Sequence, residues 1–243
     1  MHTPSAAELL DVWERGLAQP LIERALGLLA VAYLETARES IAHWSIGQRD
    51  AGLLRLREAL IGPQLTGLAT CPQCGDQLEL AFNVSDILAQ PAEGAESYAL
   101  DIAGYAVQFR LPDSTDVTAI AAETDLRPAR QQLFCRCVLQ VSRDGEPTTA
   151  DQLPDEVILA VGQRMALIDS QADVQLALTC PSCAHAWEAA FDIVSFLWSE
   201  INAWAVRMLH EVHRLASAYG WREADILALS PMRRQLYLEM IGA

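Results

Sequence analysis

The residues of this sequence best suited to chemistry are two closely spaced pairs of cysteines. Cys71 and Cys74 flank Pro-Gln, and Cys180 and Cys183 flank Pro-Ser, so both pairs form a CPxC motif. One CxxC turn presents only two thiolates, whereas a structural zinc ion takes four ligands in a tetrahedron. The two motifs together therefore predict one structural zinc ion held by Cys71, Cys74, Cys180 and Cys183.

Three other uses of these cysteines remain open from the residues alone. A redox-active CxxC requires a βαβ context and a thiol of low pKa, and two disulfides require an oxidising compartment. A catalytic zinc ion requires an open coordination position, which four thiolates do not leave. His185 could replace one thiolate, but the aligned position after the first motif is Asp76. Structural zinc is the interpretation that uses all four cysteines.

The two motifs belong to an internal repeat with an offset of 109 residues. Leu78, Leu80 and Phe82 align with Trp187, Ala189 and Phe191, which preserves the inward face of a strand. Asn83 aligns with Asp192, and both residue types are good helix N-caps. Each copy is therefore predicted to be a CPxC knuckle, a strand and the start of a helix.

Helices are predicted on both sides of this repeat. Capping-box pairs at Ser5/Glu8 and Ser45/Gln48 mark helix starts in the first 64 residues. Apolar residues recur every three or four positions across 192–218, which predicts the longest helix there. The predicted fold class is α+β, with a zinc-knuckle β core flanked by N- and C-terminal helices. The predicted regions are an N-terminal helical region 1–64, a zinc-binding core 65–191 and a C-terminal helical arm 192–243.

The segment between the two knuckles is predicted to contain an inserted β-hairpin. Alternating apolar residues over 98–102 and 107–111 surround a turn near Ala103-Gly104. Helices are predicted to follow from Asp116 and over 128–139. Residues 142–152 are predicted to be a linker.

Charge and composition exclude several classes of function. The formal net charge is −15, and all 17 basic residues are arginines. This balance disfavours nucleic acid and anionic membranes, because both are bound by neutralising phosphates. We expect no signal peptide and no membrane span, since no apolar run reaches about 18 residues. Six cysteines in such a chain indicate a reducing cytosol.

No motif in the sequence indicates an enzyme. It contains no G-x-S-x-G motif, phosphate loop or Rossmann fingerprint. His210 and His213 flank Glu211 but lie three apart, whereas a zincin helix needs its histidines four apart. Cys135 and Cys137 lie two apart, so on a helix they point to roughly opposite sides and are not a third ligand pair. The sequence therefore predicts a non-enzymatic protein.

Several runs of the sequence resemble one family. They are residues 45–50 (SIGQRD), 53–57 (LLRLR), the two CPxC motifs, 109–112 (FRLP), 191–198 (FDIVSFLW), 219–227 (YGWREADIL) and 233–238 (RRQLYL). In this order they resemble the baseplate-hub assembly and baseplate proteins of contractile-tailed, T-even-like phages. Related proteins are encoded beside phage-tail-like contractile injection systems.

The resemblance implies a zinc-stabilised assembly factor or structural component of a baseplate or hub. It further implies protein partners such as hub, spike or tape-measure proteins, and a location in the bacterial host cytosol or in the assembled particle. The alternative is a zinc-ribbon adaptor in transcription or RNA handling, which four ribbon cysteines alone would allow. That adaptor would need a basic or aromatic binding face. The sequence leaves the oligomeric state open.

Overall fold

The computed structural model describes residues 1–89 and 95–242, and it combines helices with small antiparallel sheets. The predicted α+β class is therefore confirmed at the level of secondary structure. The chain divides into two compact units, one formed by Met1–Ala37 with Ile193–Ala243 and the other by Arg38–Asp192. The three regions predicted from the sequence, 1–64, 65–191 and 192–243, stay a prediction.

In chain order, the helices are α1 (Ala6–Gly16), α2 (Leu21–Ala32), α3 (Arg38–Ala42), α4 (Ile46–Ile61), α5 (Val84–Ile87), α6 (Ser114–Ile120), α7 (Leu126–Cys137), α8 (Asp155–Ile168), α9 (Ile193–Tyr219), α10 (Glu223–Leu227) and α11 (Pro231–Gly242). The strands are β1 (Gln64–Thr70), β2 (Gln77–Asn83), β3 (Tyr98–Ile102), β4 (Tyr105–Phe109), β5 (Val138–Arg143), β6 (Glu146–Thr148), β7 (Gln175–Thr179) and β8 (Ala186–Ala190).

The unit formed by the two ends of the chain is helical and is built around α9. Helix α1 begins with the predicted capping box, in which the Ser5 hydroxyl accepts from the Glu8 N–H and the Glu8 carboxylate accepts from the Ser5 N–H at 2.7 Å. The indole of Trp198 fills the space that a Cβ at Gly16 would need. The Trp13 indole N–H donates to Asn202 at 3.0 Å. These contacts hold α1 against α9.

Helix α9 confirms the long amphipathic helix predicted from the sequence. It spans Ile193–Tyr219, within one residue of the predicted bounds at each end. The repeating apolar positions are buried along one stripe, including Leu197, Ile201 and Leu215. Helix α11 packs on the far part of this stripe through Leu238. Its buried Arg234 donates to Glu211 at 2.6 Å.

The unit Arg38–Asp192 contains a four-stranded antiparallel sheet in the order β3-β4-β5-β6. The predicted hairpin is confirmed as β3 and β4, with Ala103 and Gly104 at positive φ in its turn. One face of the sheet packs on α7 and α8, where Val107, Phe109 and Val157 are almost fully buried.

The sequence prediction missed strands β5 and β6. It placed a helix over 128–139 and a linker over 142–152, whereas helix α7 ends at Cys137 and the chain continues as a strand. Two physical features explain the error. Asp144-Gly145 forms the tight turn between β5 and β6 with both residues at positive φ, which is the hairpin turn favoured by this dipeptide. Val141 points into the core, so the strand is half-buried.

Helix α4 leads the chain into the first cysteine hairpin. Its predicted capping box is present, with the Ser45 hydroxyl accepting from the Gln48 N–H at 3.1 Å. The Gly47 N–H donates to the buried carboxylate of Asp169 at 2.9 Å, and a Cβ at Gly47 would overlap that carboxylate. Helix α4 ends before Gly62, whose φ of +114° turns the chain directly into β1.

Candidate metal centre

Each predicted knuckle lies at the tip of a two-stranded antiparallel hairpin. Strand β1 pairs with β2 up to Thr70 and Gln77, and β7 pairs with β8 up to Thr179 and Ala186. The strands predicted after each knuckle are therefore confirmed as β2 and β8. In both hairpins exposed and partly buried residues alternate, as expected for strands with one face turned inward.

The two tips have the same backbone hydrogen bonds. In the first, the Gly75 N–H donates to the Cys71 carbonyl at 2.9 Å and the Cys71 N–H donates to the Asp76 carbonyl at 2.8 Å. In the second, the equivalent bonds join Ala184 to Cys180 and Cys180 to His185, both at 2.9 Å. The sequence repeat is thus a repeat of local structure.

The tips differ at the residue that follows each knuckle. Gly75 has a φ of +78°, and its counterpart Ala184 has a φ of +60°. A Cβ in this left-handed region is strained by about 1–2 kcal/mol. Ala184 therefore holds a conformation that Gly adopts without strain.

We expect the Ala184→Gly substitution to raise the free energy of unfolding by about 1 kcal/mol, because it removes this strain. The reciprocal change Gly75→Ala is expected to lower it by a similar amount, since no neighbouring atom lies within 4 Å of the added Cβ and only the backbone strain remains. Urea denaturation of the two variants measures both values. A lower stability for Ala184→Gly would contradict this account of the turn.

The fold brings the four cysteines together across the two hairpins. The Sγ atoms of Cys71 and Cys183 lie 3.7 Å apart, and those of Cys74 and Cys180 lie 3.6 Å apart. All four Sγ atoms lie within 4.8 Å of one another. Among the described residues, this is the one group of three or more possible metal ligands that meets this criterion. The four cysteines could hold a metal ion.

The spacing of the sulfurs fits a tetrahedral metal better than disulfides. A zinc–sulfur bond of about 2.3 Å places neighbouring sulfurs of a tetrahedron roughly 3.8 Å apart. A disulfide requires about 2.05 Å between its sulfurs. Two of the six Sγ–Sγ distances, 3.6 and 3.7 Å, are close to this edge length, and all four cysteines are free thiols.

The pKa values of the thiols show that these neighbours do not ionise equally easily. Burial raises the pKa of Cys71, but hydrogen bonds from the backbone at Cys74 and Gln73 and from neighbouring thiols outweigh it and lower the pKa to about 7. At Cys74 a hydrogen bond from the Asp76 backbone lowers the pKa, whereas the Cys183 thiol and burial raise it, to about 12 overall. Neighbouring thiols thus oppose the ionisation of Cys74. A divalent cation held by these four cysteines would stabilise all the thiolates together.

Side chains beside the cysteines also join the two hairpins. The Ser182 hydroxyl donates to the Asp76 carboxylate, which connects one tip to the other. At the opposite ends of the hairpins, the rings of Phe82 and Phe191 meet edge to face with centroids 5.7 Å apart. His185 stacks on Trp187 at 5.9 Å. Its imidazole therefore has a packing role beside the cluster.

The remaining cysteines lie outside the cluster. Both are on α7, where Cys135 is exposed and Cys137 is buried, as their spacing on a helix predicts. Burial and the nearby Asp116 carboxylate raise the pKa of Cys137 to about 12. His210 and His213 lie exposed on α9.

Sequence reasoning missed a buried ionic cluster in the same unit. Asp116 is fully buried and accepts from both terminal nitrogens of Arg110, at 2.6 and 2.8 Å, and from Arg136 Nε at 2.9 Å. Asp113 caps α6, and its Oδ2 atom lies 3.0 Å from His43 Nδ1, within hydrogen-bond distance. The Asp113/Asp116 capping-box spacing was a signal in the sequence for the start of α6. The contacts of Arg110 and Arg136 with Asp116 had no such local signal.

These features define a protein of mixed helices and small sheets that has a four-cysteine cluster at the meeting point of two repeated hairpins. The chain belongs to the T4 bacteriophage base plate protein family, whose family model matches residues 23–198. This confirms the family resemblance seen in the sequence. The matched range contains all four cysteines. Neither the curated proteins nor the solved structures contain a match to this chain. Over the described residues, every helix is too short or too polar to cross a bilayer.

Proposed function

We propose that this chain is a non-enzymatic structural component, or assembly factor, of the baseplate or hub of a contractile tail, stabilised by one zinc ion. The family match over residues 23–198 is the observation that carries the proposal. It spans both cysteine hairpins and the four-stranded sheet, so the resemblance concerns the folded core and not a single motif.

The donor set supports zinc as the metal. Four thiolates around one ion favour zinc, and they leave no open position for a substrate or a reactive water. The ligands proposed are Cys71, Cys74, Cys180 and Cys183, which lie close enough to share one ion. The ion then serves as a clasp between the two knuckle units of the proposed core 65–191. The helical regions 1–64 and 192–243 flank this core.

The charge of the chain supports protein partners over nucleic acid. Its net charge of −15 opposes the phosphate contacts on which nucleic-acid binding depends. The partners proposed are hub, spike or tape-measure proteins of the same particle. The protein is made in the bacterial host cytosol and either acts there during assembly or is built into the particle.

Deletion of the gene in the particle-forming strain tests this function. We expect electron microscopy of the deletion strain to show no sheathed particles, and a plasmid copy of the wild-type chain to restore them. The Cys135→Ser chain, which changes a thiol outside the cluster, is the matched control and is expected to restore them as well. The Cys74→Ser chain is expected to fail. Normal sheathed particles from the deletion strain would show that the proposed function is wrong.

A further inference from the structure

The unit Arg38–Asp192 has an uncovered apolar groove between α7 and α8, with a cavity of about 280 Å³. We call it the α7–α8 groove. Its apolar walls are formed by Leu133, Phe134 and Cys137 of α7 and by Ile158, Met165 and Ala166 of α8.

Two exposed leucines extend the apolar surface of the α7–α8 groove. Leu126 is 87% exposed and Leu159 is 48% exposed. Each precedes a wall residue, Leu133 or Ala166, by seven positions, which places it on the same face of its helix. At Gly162 a Cβ would meet no atom within 4 Å, so the floor of the groove is open to an incoming side chain. Exposed leucines beside an open apolar groove are the kind of surface that a protein partner can cover.

A second uncovered apolar surface lies on α11. Met232, Leu236 and Met240 are 75%, 45% and 65% exposed. Because they are spaced four apart, they form one continuous line on the helix, which we call the α11 stripe. The opposite side of α11 is anchored on α9 by Leu238 and by the pair of Arg234 and Glu211. The α11 stripe is therefore held outward by a fixed helix.

The two surfaces agree in length and in charge. The α11 stripe extends over nine residues, or about 12 Å of helix, and the walls contributed by α8 extend over a similar length. Residues 38–192 carry 22 acidic and 10 basic side chains, whereas residues 193–243 carry five of each. The stripe is thus on the part of the chain that an acidic unit repels least. Arg233 and Glu239 flank the stripe, and Arg130 and Asp173 line the groove, so pairs of opposite sign are available.

We propose that the α11 stripe of one copy of this chain binds in the α7–α8 groove of a second copy. Flexible methionines on the stripe suit this role because they adapt to an irregular apolar groove. The contact is heterologous, since it joins two different surfaces. A dimer therefore keeps one free groove and one free stripe at its two ends, and further copies can add until a ring closes.

Sedimentation of the full-length protein at increasing concentration tests this proposal. We expect the wild-type mass to rise above the 26.6 kDa of one chain as concentration increases. Leu236→Asp on the stripe and Ala166→Glu on the groove wall are each expected to weaken self-association at least about tenfold. Both positions are exposed, so the substitutions are compatible with folding, which circular dichroism checks. Leu167→Glu, on another face of α8 and 74% exposed, is the control that should leave the mass unchanged.

Mixing the two defective variants gives the decisive result. The Leu236→Asp chain keeps its groove and the Ala166→Glu chain keeps its stripe, so the mixture is expected to form a dimer that grows no further. A wild-type chain that stays at 26.6 kDa at all concentrations would overturn the proposal, as would an effect of Leu167→Glu equal to that of Ala166→Glu. Association that Ala166→Glu leaves unchanged would show instead that the stripes pair with each other.

Discussion

Replacement of Cys74 by Ser is expected to abolish binding of the proposed zinc ion and to unfold the unit Arg38–Asp192. Binding of zinc by structural sites supplies an apparent free energy of about 10 kcal/mol or more, which is folding free energy when the ligands come from distant segments. A typical domain is stable by only about 5–15 kcal/mol. Each hairpin of the cluster is a two-stranded sheet, and such sheets have little stability of their own in water. Loss of the proposed ion is therefore expected to remove most of the stability of this unit.

Thermal unfolding by circular dichroism, together with zinc counted by elemental mass spectrometry, measures this effect. The wild-type protein is expected to contain one zinc ion per chain, and Cys183→Ser is expected to behave as Cys74→Ser does. Cys135→Ser changes an exposed thiol on α7 and is expected to keep both the zinc and the melting temperature. A Cys74→Ser, Cys183→Ser double variant that stays folded with zinc bound would show that the ligand assignment is wrong.

Replacement of Asp116 by Asn is expected to lower the free energy of unfolding at pH 7 by about 3 kcal/mol. Asn keeps the shape of the side chain but leaves Arg110 and Arg136 without the charge that both contact. Removal of one partner from a buried ion pair is strongly destabilising, because the remaining charge is left without compensation. Asp144→Asn is the matched control. Its pair with Arg143 is exposed at 3.9 Å, so a change within about 0.5 kcal/mol is expected.

The effect of Asp116→Asn is also expected to depend on pH. Burial raises the pKa of Asp116, but the Arg110 pair, the Asp113 N–H and Arg136 outweigh it and hold the pKa below its ordinary value of 3.8. Since the pKa is lower in the folded protein, the carboxylate contributes its full stability above 3.8 and loses it as the pH falls through the folded pKa. The stability difference between wild type and Asp116→Asn should therefore shrink below pH 4. A difference that stays constant from pH 7 to pH 3 would contradict the depressed pKa.

The parts of the fold that the sequence could predict are those with a local physical signal. A CPxC turn, a capping box at Ser45 and a helical stripe on α9 each depend on residues a few positions apart. The convergence of the two knuckles was predictable because a tetrahedral metal needs more thiolates than one turn presents. The geometry then added what the sequence could not give, namely that each close sulfur contact joins the two different knuckles.

Most features of the fold that were not predicted depend on residues far apart in the chain. No proline or glycine separates α7 from β5, so the start of β5 at Val138 is set by its pairing with β4. Only the far end of this strand had a local signal, the Asp144-Gly145 turn. The ionic cluster at Asp116 assembles residues from α6, α7 and the segment that follows β4, and they share no sequence period. Exposure of the α11 stripe could not be predicted either, because an apolar line on a helix is usually a buried one.

The separation of the two knuckles along the chain has a consequence for biosynthesis. Cys71 and Cys180 are 109 residues apart. At a translation rate of about 5–20 residues per second, the first thiol pair leaves the ribosome roughly 5–20 s before the second. During that interval the nascent chain offers half of the proposed coordination sphere, which oxidants and other metals can reach. The four cysteines can share the proposed zinc ion only after Cys183 has emerged, so the first thiol pair must stay reduced until then.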